Sequence, residues 1–275
     1  MMLTITDFLN EDVGVQDITT NAIVPPDHRS HARIIAKAPG ILAGQKYAHD
    51  VFSALDAEIA YTGQKKDGDP LLPGDIISTI EGTTRAILTG ERVALNILQR
   101  LSGTATLTRR FVEAVAGTAT RILDTRKTTP GMRVMEKYAV VVGGGTNHRL
   151  NLTEMALIKE NHIAVAGSIE NAVSMIRKIS DVPIEVEVRD MAELVQAVNL
   201  NVDRIMLDNW NTGSMSEAVS YVSRRIEIEA SGNMTLDRVR DVAMTGVDYI
   251  SIGALTHSAG ALDMSLLHEA VKGVE

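Results

Sequence analysis

The sequence predicts an α/β fold: a parallel sheet from about residue 121 onward, preceded by an α+β segment with no regular alternation. Three observations carry this. Six short apolar runs, RIL (121–123), ALI (156–158), IEVEV (184–188), RIML (204–207), IEIEA (226–230) and YISI (249–252), have strand length, and most precede an amphipathic helical stretch. Polar residues fall at or just past the C-terminal ends of these runs: Asp124 with Arg126, Lys159, Glu187, Asp208, Ser231 with Gly232, and Gly253. One mouth receives them all. A (β/α) barrel places its chemistry this way, whereas an open sheet concentrates it at a single switch point.

Taken in order, the chain opens with a short helix at Ile5–Leu9 behind the capping residue Thr4. Ala32–Ala36 reads as a strand, and Gly40–Gly44 as a second apolar run bounded by glycines. A helix follows at Lys46–Leu55, then extended segments at Ala57–Thr62 and Asp75–Ile80, separated by the Gly- and Pro-containing loop Gly63–Gly74. From Gly90, Val93, Ile97, Leu98 and Leu101 recur at helical spacing, so a long helix joins the two halves. Beyond residue 121 the helical stretches are Ser168–Ile179, Met191–Val198, Met215–Val222 and Leu236–Met244. The expected domains are 1–102, joined by a C-terminal helix carrying His268, and 103–275.

The 275 residues, 45% hydrophobic, suffice for a substantial core, and with only 3% aromatics that core is mostly aliphatic. A formal charge of −8 argues against a general nucleic-acid or membrane-surface binder. The absence of cysteine removes thiol nucleophiles, thiolate metal sites and disulfides together. No basic region followed by a long apolar stretch opens the chain, so a cytoplasmic protein is expected.

Against the acidic background one stretch stands out. Residues 123–162 hold Arg126, Lys127, Arg149, Lys159, His148 and His162 beside glycines and short apolar runs. Two like charges about 4 Å apart in a partly buried setting repel by roughly 4 kcal/mol, so converging cations call for a multiply anionic ligand. Arg126, Arg149 and Lys159, with His148 as a donor, suit two carboxylates. The bland alternative pairs these charges with Glu136, Glu154 or Glu160. Glu185 and Glu187 share one face of a strand and Asp208 ends the next. Carboxylates at neighbouring strand ends suit Mg²⁺ or a developing positive charge, though a strand-borne Glu is more often solvated. Residues 230–235 and 252–258 each offer glycine, a hydroxyl and backbone N–H groups leading towards a helix, the form of a phosphate loop or of an ordinary turn. His28 with His31 lacks further metal ligands, and His162 either lines the mouth or caps the next turn.

Asp124-Thr125-Arg126-Lys127-Thr128-Thr129-Pro130-Gly131, Glu136-Lys137-Tyr138-Ala139, Gly143-Gly144-Gly145-Thr146-Asn147-His148-Arg149 and Ile158-Lys159-Glu160-Asn161-His162 resemble the quinolinate phosphoribosyltransferase family, and the likeness covers nearly the whole chain. It implies an incomplete six-stranded parallel α/β barrel with an N-terminal α+β sandwich domain. It also implies a pentosyltransferase of NAD biosynthesis that moves phosphoribose from 5-phosphoribosyl 1-pyrophosphate to quinolinate, releasing pyrophosphate and CO₂ to give nicotinate mononucleotide.

By the same resemblance, Arg92, Arg126, His148, Arg149 and Lys159 hold quinolinate, with Arg92 supplied by the second subunit of a homodimer. Lys127, Glu187 and Asp208 are the catalytic group, and Glu187 and Asp208 hold Mg²⁺ directly or through water. Lys127, Glu187, Asp208, Ser231, Gly232, Asn233, Gly253 and His257 bind the phosphoribosyl donor. Two positions depart from the family pattern: Val141 replaces a common basic residue, and Asn233 a second glycine. The competing expectations are a relative associated with molybdenum transport, an aldolase-like barrel with Lys159 as Schiff-base lysine, and a non-catalytic binder of aromatic dicarboxylates.

Overall fold

A computed structural model describes residues 3–269. They form two compact units, residues 3–107 with Thr129–Gly143 and 258–269, and Thr108–Thr128 with Gly144–His257.

In the first unit, the Thr4 hydroxyl accepts from the Asp7 N–H while Asp7 accepts from the Thr4 N–H, a reciprocal cap that starts the helix Ile5–Val13. The strands are β1 (Arg29–Ala36), β2 (Gly40–Ile41), β3 (Ala60–Gly63), β4 (Pro70–Leu71) and β5 (Ile76–Thr83). In β1, burial alternates, with Ser30, Ala32, Ile34 and Ala36 inward, as a sheet covered on one face requires. The helix Gln45–Leu55 buries Ala48, Val51 and Phe52, three residues on one helical face. From Thr84 a single helix of 31 residues runs to Ala114, its residues up to Leu107 belonging to the first unit. Gly103 on this helix is required by close packing: a Cβ there would stand 1.9 Å from the Gly260 carbonyl oxygen.

The second unit carries β6 (Arg121–Leu123), β7 (Ala156–Ile158), β8 (Ile184–Val188), β9 (Arg204–Asp208), β10 (Glu227–Ser231) and β11 (Tyr249–Ser251). All pair in parallel in the order β6-β11-β10-β9-β8-β7. The last strand thus lies beside the first, as in a barrel, and among the described residues β6 and β7 do not pair with each other. Thr146 bridges to Leu123 on the free side of β6. This is the incomplete six-stranded α/β barrel. Helices Ile169–Arg177, Met191–Asn199 and Thr212–Val222 follow strands and start on Ser168, Asp190 and Asn211, each accepting a backbone N–H in its first turn.

Returning to the first unit, β12 (Met264–Glu269) corrects the expectation of a C-terminal helix over these residues. It pairs antiparallel with β1, Ala36 facing Met264 and Ala32 facing His268, and the sheet order is β12-β1-β5-β3. Leu, His and Glu favour a helix locally, but the open edge of β1 and burial of Met264 and Leu266 decide for a strand. Any part of the expected helix beyond Glu269 lies outside the described residues.

Candidate active site

Two adjoining cavities open at the C-terminal ends of the barrel strands. One, of about 480 Å³, is lined by Lys127, Asp208, Asn209, residues 231–235 and 251–254, and His257. The other, of about 440 Å³, is lined by Arg126, His148, Arg149, Lys159, Glu187 and Glu229. Thr125, Lys127, Asp208, Ser231 and Ser251 line both. The barrel brings these groups together because side chains at every second strand position point inward, and the last inward position of each strand reaches the mouth.

The second cavity is the cation-rich one. Partial burial and, less strongly, the neighbouring Arg126 charge hold the Arg149 pKa below its ordinary value. Arg149 is aimed by its Nη1, which donates to the Met155 carbonyl at 2.7 Å. Lys159 Nζ lies 2.8 Å from Glu187 Oε2, with 49% of the lysine side chain exposed. A Schiff-base lysine is activated instead by an apolar pocket or a neighbouring cation, so the aldolase-like alternative lacks its setting. Two of the three carboxylates offered as bland partners are engaged elsewhere. Glu136 accepts from Arg100 and Thr129, and Glu154 accepts the Leu150 N–H. His162 resolves as a cap, its Nδ1 accepting the Lys159 N–H at 3.0 Å.

The first cavity is built from turns after β9, β10 and β11. Gly232 has φ +92°, and a Cβ there would lie 2.2 Å from Asn209 Oδ1, so only glycine fits. Asn233 follows with φ 47°. Asparagine is among the non-glycine residues that best tolerate this left-handed region, which explains how it can stand where the family usually has glycine. Its Nδ2 donates to Asn209 Oδ1 at 3.1 Å, tying the two turns together. Gly253 leaves room for Lys127 Cδ and His257 Nε2, which would stand 3.0 and 3.1 Å from a Cβ at that position.

Beneath the mouth lies a buried ionic group. His148 Nε2 is 3.1 Å from Glu185 Oε2 and 3.4 Å from Glu229 Oε2, and Arg204 Nη1 is 3.3 Å from Glu229 Oε2. Both carboxylates are 0% exposed. Burial opposes charge on His148, but the two carboxylates outweigh it and raise its pKa to about 9. Burial and the Glu229 charge raise Glu185, whereas for Glu229 the His148 contact, Ser251 and Arg204 outweigh burial and lower it. The Arg149 N–H points at His148 Nδ1 at 2.7 Å, so Nδ1 accepts and the ring proton sits on Nε2 between the carboxylates. A second ring proton would meet that N–H, so the proton favoured by the carboxylates is shared across the group. From behind, Asp124 accepts the His148 backbone N–H at 2.8 Å.

Glu185, left outside the expected catalytic group in favour of Glu187 and Asp208, is an interior residue. Glu229, Arg204 and Ser251 were missed. Their signal was present: IEVEV, RIMLD and IEIEA carry charge at the same phase on three successive strands, where a strand covered on both faces should read as continuously apolar. Of the expected site residues, Arg126, Lys127, His148, Arg149, Lys159, Glu187, Asp208, Ser231, Gly232, Asn233, Gly253 and His257 line one or both cavities. Arg92 does not; it is exposed on the long helix, in the part belonging to the first unit. Val141, also in the first unit, is 50% exposed near the end of the helix Arg133–Val142.

Comparison with known proteins gives the same picture. The family model of the quinolinate phosphoribosyl transferase N-terminal domain matches residues 17–102, and that of the C-terminal domain matches residues 104–267. A probable nicotinate-nucleotide pyrophosphorylase (carboxylating) of Bacillus subtilis is 43% identical over 261 residues, covering 94% of this chain and 90% of that protein. Its Synechocystis counterpart is 42% identical over 264 residues, with 94% and 89% covered. The crystal structure of NadC from Streptococcus pyogenes superposes with a TM-score of 0.92 at 42% identity, over 96% of this chain and 95% of that one. A nicotinate-nucleotide pyrophosphorylase from Pyrococcus furiosus, at 18% identity and a TM-score of 0.72, shares the fold. With both domain models matched in sequence order and the barrel mouth built from the motif residues, the chain belongs to the quinolinate phosphoribosyltransferase family.

Proposed function

We propose that this protein transfers the phosphoribosyl group of 5-phosphoribosyl 1-pyrophosphate to the ring nitrogen of quinolinate and releases CO₂, forming nicotinate mononucleotide for NAD biosynthesis. The observation that carries the reading is a cavity with Arg126 and Arg149 mutually repelling at its wall, adjoining a second built from glycine turns. The first suits a dianionic ring and the second a phosphorylated sugar. The enzymes of similar sequence support the pairing.

In this reading Arg126, Arg149 and Lys159 hold the two ring carboxylates, with His148 packed behind them. Residues 231–233, Gly253 and His257 hold the donor's phosphates. The ring nitrogen attacks the anomeric carbon, the bond to pyrophosphate breaks, and Lys127, which lines both cavities, stabilises the departing charge. Glu187 and Asp208 face the positive charge that develops on the ribose. Once the nitrogen is quaternary, the bond to the adjacent carboxylate breaks, and the electron pair stays on a carbon next to positive nitrogen.

Glu187 and Asp208 also present hard carboxylate oxygens to the same cavity, the donor type and number that Mg²⁺ takes from protein, so the residues present fit that ion. Bound there, it would neutralise charge on the pyrophosphate. The buried group of His148, Glu185 and Glu229 fits it poorly, being imidazole-containing and paired with Arg204.

The active form in this proposal is a homodimer in which Arg92 enters the partner's site. Its support is an apolar groove of about 770 Å³ that borders Arg126, Arg149 and Lys159 and is lined by Leu152, Val165 and Met175, which are 66%, 92% and 60% exposed. A cytoplasmic location agrees with the absence of cysteine and with the lack, among the described residues, of any helix long and apolar enough to cross a membrane.

The test combines purified protein, Mg²⁺ and 5-phosphoribosyl 1-pyrophosphate with either quinolinate or nicotinate, following mononucleotide and CO₂ together. Product from quinolinate alone with matching CO₂ is expected. Product from nicotinate without CO₂ would overturn the substrate, and no product from either would return weight to the molybdenum-associated relatives.

A further inference from the structure

Ser251 and Glu229 stand on the neighbouring strands β11 and β10, under the place where the two cavities meet. Ser251 lines both cavities and Glu229 the cation-rich one. Glu229 pairs in register with Tyr249, so Ser251 lies one inward position nearer the mouth. Both are buried, Glu229 at 0% and Ser251 at 4% exposure. One side of the Glu229 carboxylate is held: Oε2 faces Arg204 Nη1 at 3.3 Å and His148 Nε2 at 3.4 Å. The other is not. Glu229 Oε1 and Ser251 Oγ have no hydrogen-bond partner among the described residues, although Ser251 is near enough to favour the ionised carboxylate. Buried polar atoms of this kind are almost always satisfied, by protein or by water. An acceptor and a hydroxyl side by side at a polar cavity floor match the needs of one water molecule.

The reaction proposed above has an unmet requirement at this junction. When CO₂ leaves, the electron pair remains on the ring carbon and must take a proton. That carbon is bonded to the ring nitrogen, and the nitrogen meets the anomeric carbon where the cavities join. The arginines that hold the carboxylates cannot give up a proton. We propose that Glu229 Oε1 and Ser251 Oγ hold a water molecule at the junction, and that this water protonates the ring carbon as CO₂ departs. Glu229 accepts one O–H of the water, and the Ser251 hydroxyl donates to its oxygen. The second O–H faces the ring carbon. The C–H bond forms as that O–H breaks, and the hydroxide left behind takes a proton from the Lys127 ammonium, which lines both cavities. Lys127 recovers its proton from solvent as product leaves, so the cycle consumes one solvent proton per CO₂.

This inference rests on the reading of the site as a quinolinate phosphoribosyltransferase, and the test separates the two. Wild-type protein, Ser251→Ala, Ser251→Thr and Glu229→Gln are compared in steady state and in solvent D₂O. For Ser251→Ala, kcat is expected to fall by about 10²-fold, the usual scale for a lost proton-transfer group. KM for both substrates stays as in wild type, the solvent isotope effect on kcat increases, and Ser251→Thr restores the rate. Glu229→Gln lowers kcat in the same direction. Wild-type turnover with an unaltered Ser251→Ala kcat overturns this inference alone. A raised quinolinate KM at constant kcat in Ser251→Ala also overturns it, because the hydroxyl would then be a substrate contact. Wild-type protein that makes no mononucleotide from quinolinate overturns the functional reading beneath it.

Discussion

Replacing Arg149 by methionine keeps most of the side-chain volume and removes the charge and the guanidinium fork. In the structure one arm of that fork is already committed, Nη1 donating to the Met155 carbonyl at 2.7 Å. The remaining arm offers two hydrogen bonds to a ring carboxylate. Hydrogen bonds to charged groups contribute about 1.5–3 kcal/mol each, and water takes up part of the loss, so roughly 3 kcal/mol is expected. At about 1.4 kcal/mol per decade this weakens quinolinate binding on the order of 100-fold. The Arg126–Arg149 repulsion that lowers the Arg149 pKa is present with and without ligand, so its removal shows in the free protein instead. There it offsets the lost Met155 contact, and apo stability should change by less than about 1 kcal/mol. Arg149 does not line the glycine-turn cavity, so affinity for 5-phosphoribosyl 1-pyrophosphate should hold. Titration calorimetry with each ligand separately, together with urea unfolding, measures all three. Equal losses for both ligands would refute the division of the mouth into two sites.

Gly232→Ala forces a side chain into a left-handed backbone and against Asn209; a loss of about 1–2 kcal/mol in urea unfolding is expected, with weaker donor binding and retained quinolinate binding. An unchanged midpoint would show that the turn relaxes freely. The buried imidazole makes stability pH-dependent. Its folded pKa is raised to about 9, so its contribution is complete below the ordinary value of about 6.5 and is lost as pH rises through about 9. The stability gap between wild type and His148→Gln should therefore narrow across that window; a gap that widens has the wrong sign and removes the shared proton from the account. Arg92→Ala and Lys159→Ala, each inactive alone, should regain part of the activity when mixed after subunit exchange, because hybrid dimers contain one site with both residues. No regain under conditions of proven exchange would place Arg92 outside the partner's site.

Much of this protein is legible before folding is considered. Alternation of short aliphatic runs with amphipathic stretches specifies the parallel sheet, because a parallel strand needs a covering crossover between itself and the next, and the polar residues at every strand end choose the barrel over the open sheet. Cations spaced through residues 123–162 mark one wall of the mouth, and the Gly232 and Gly253 turns mark the loops that line the neighbouring cavity. These are local signals, each contained within one strand and the turn that follows it. Other features were decided only by pairing between distant segments. Met264–Glu269 became a strand because the edge of β1 was open to it, a fact located more than two hundred residues away in the chain. Glu185 and Glu229 look like ordinary solvated residues of their strands until the ring is assembled. The barrel then removes both from water, places His148 between them and Arg204 against Glu229, and only that shared interior turns these four side chains into the buried ionic floor of the site.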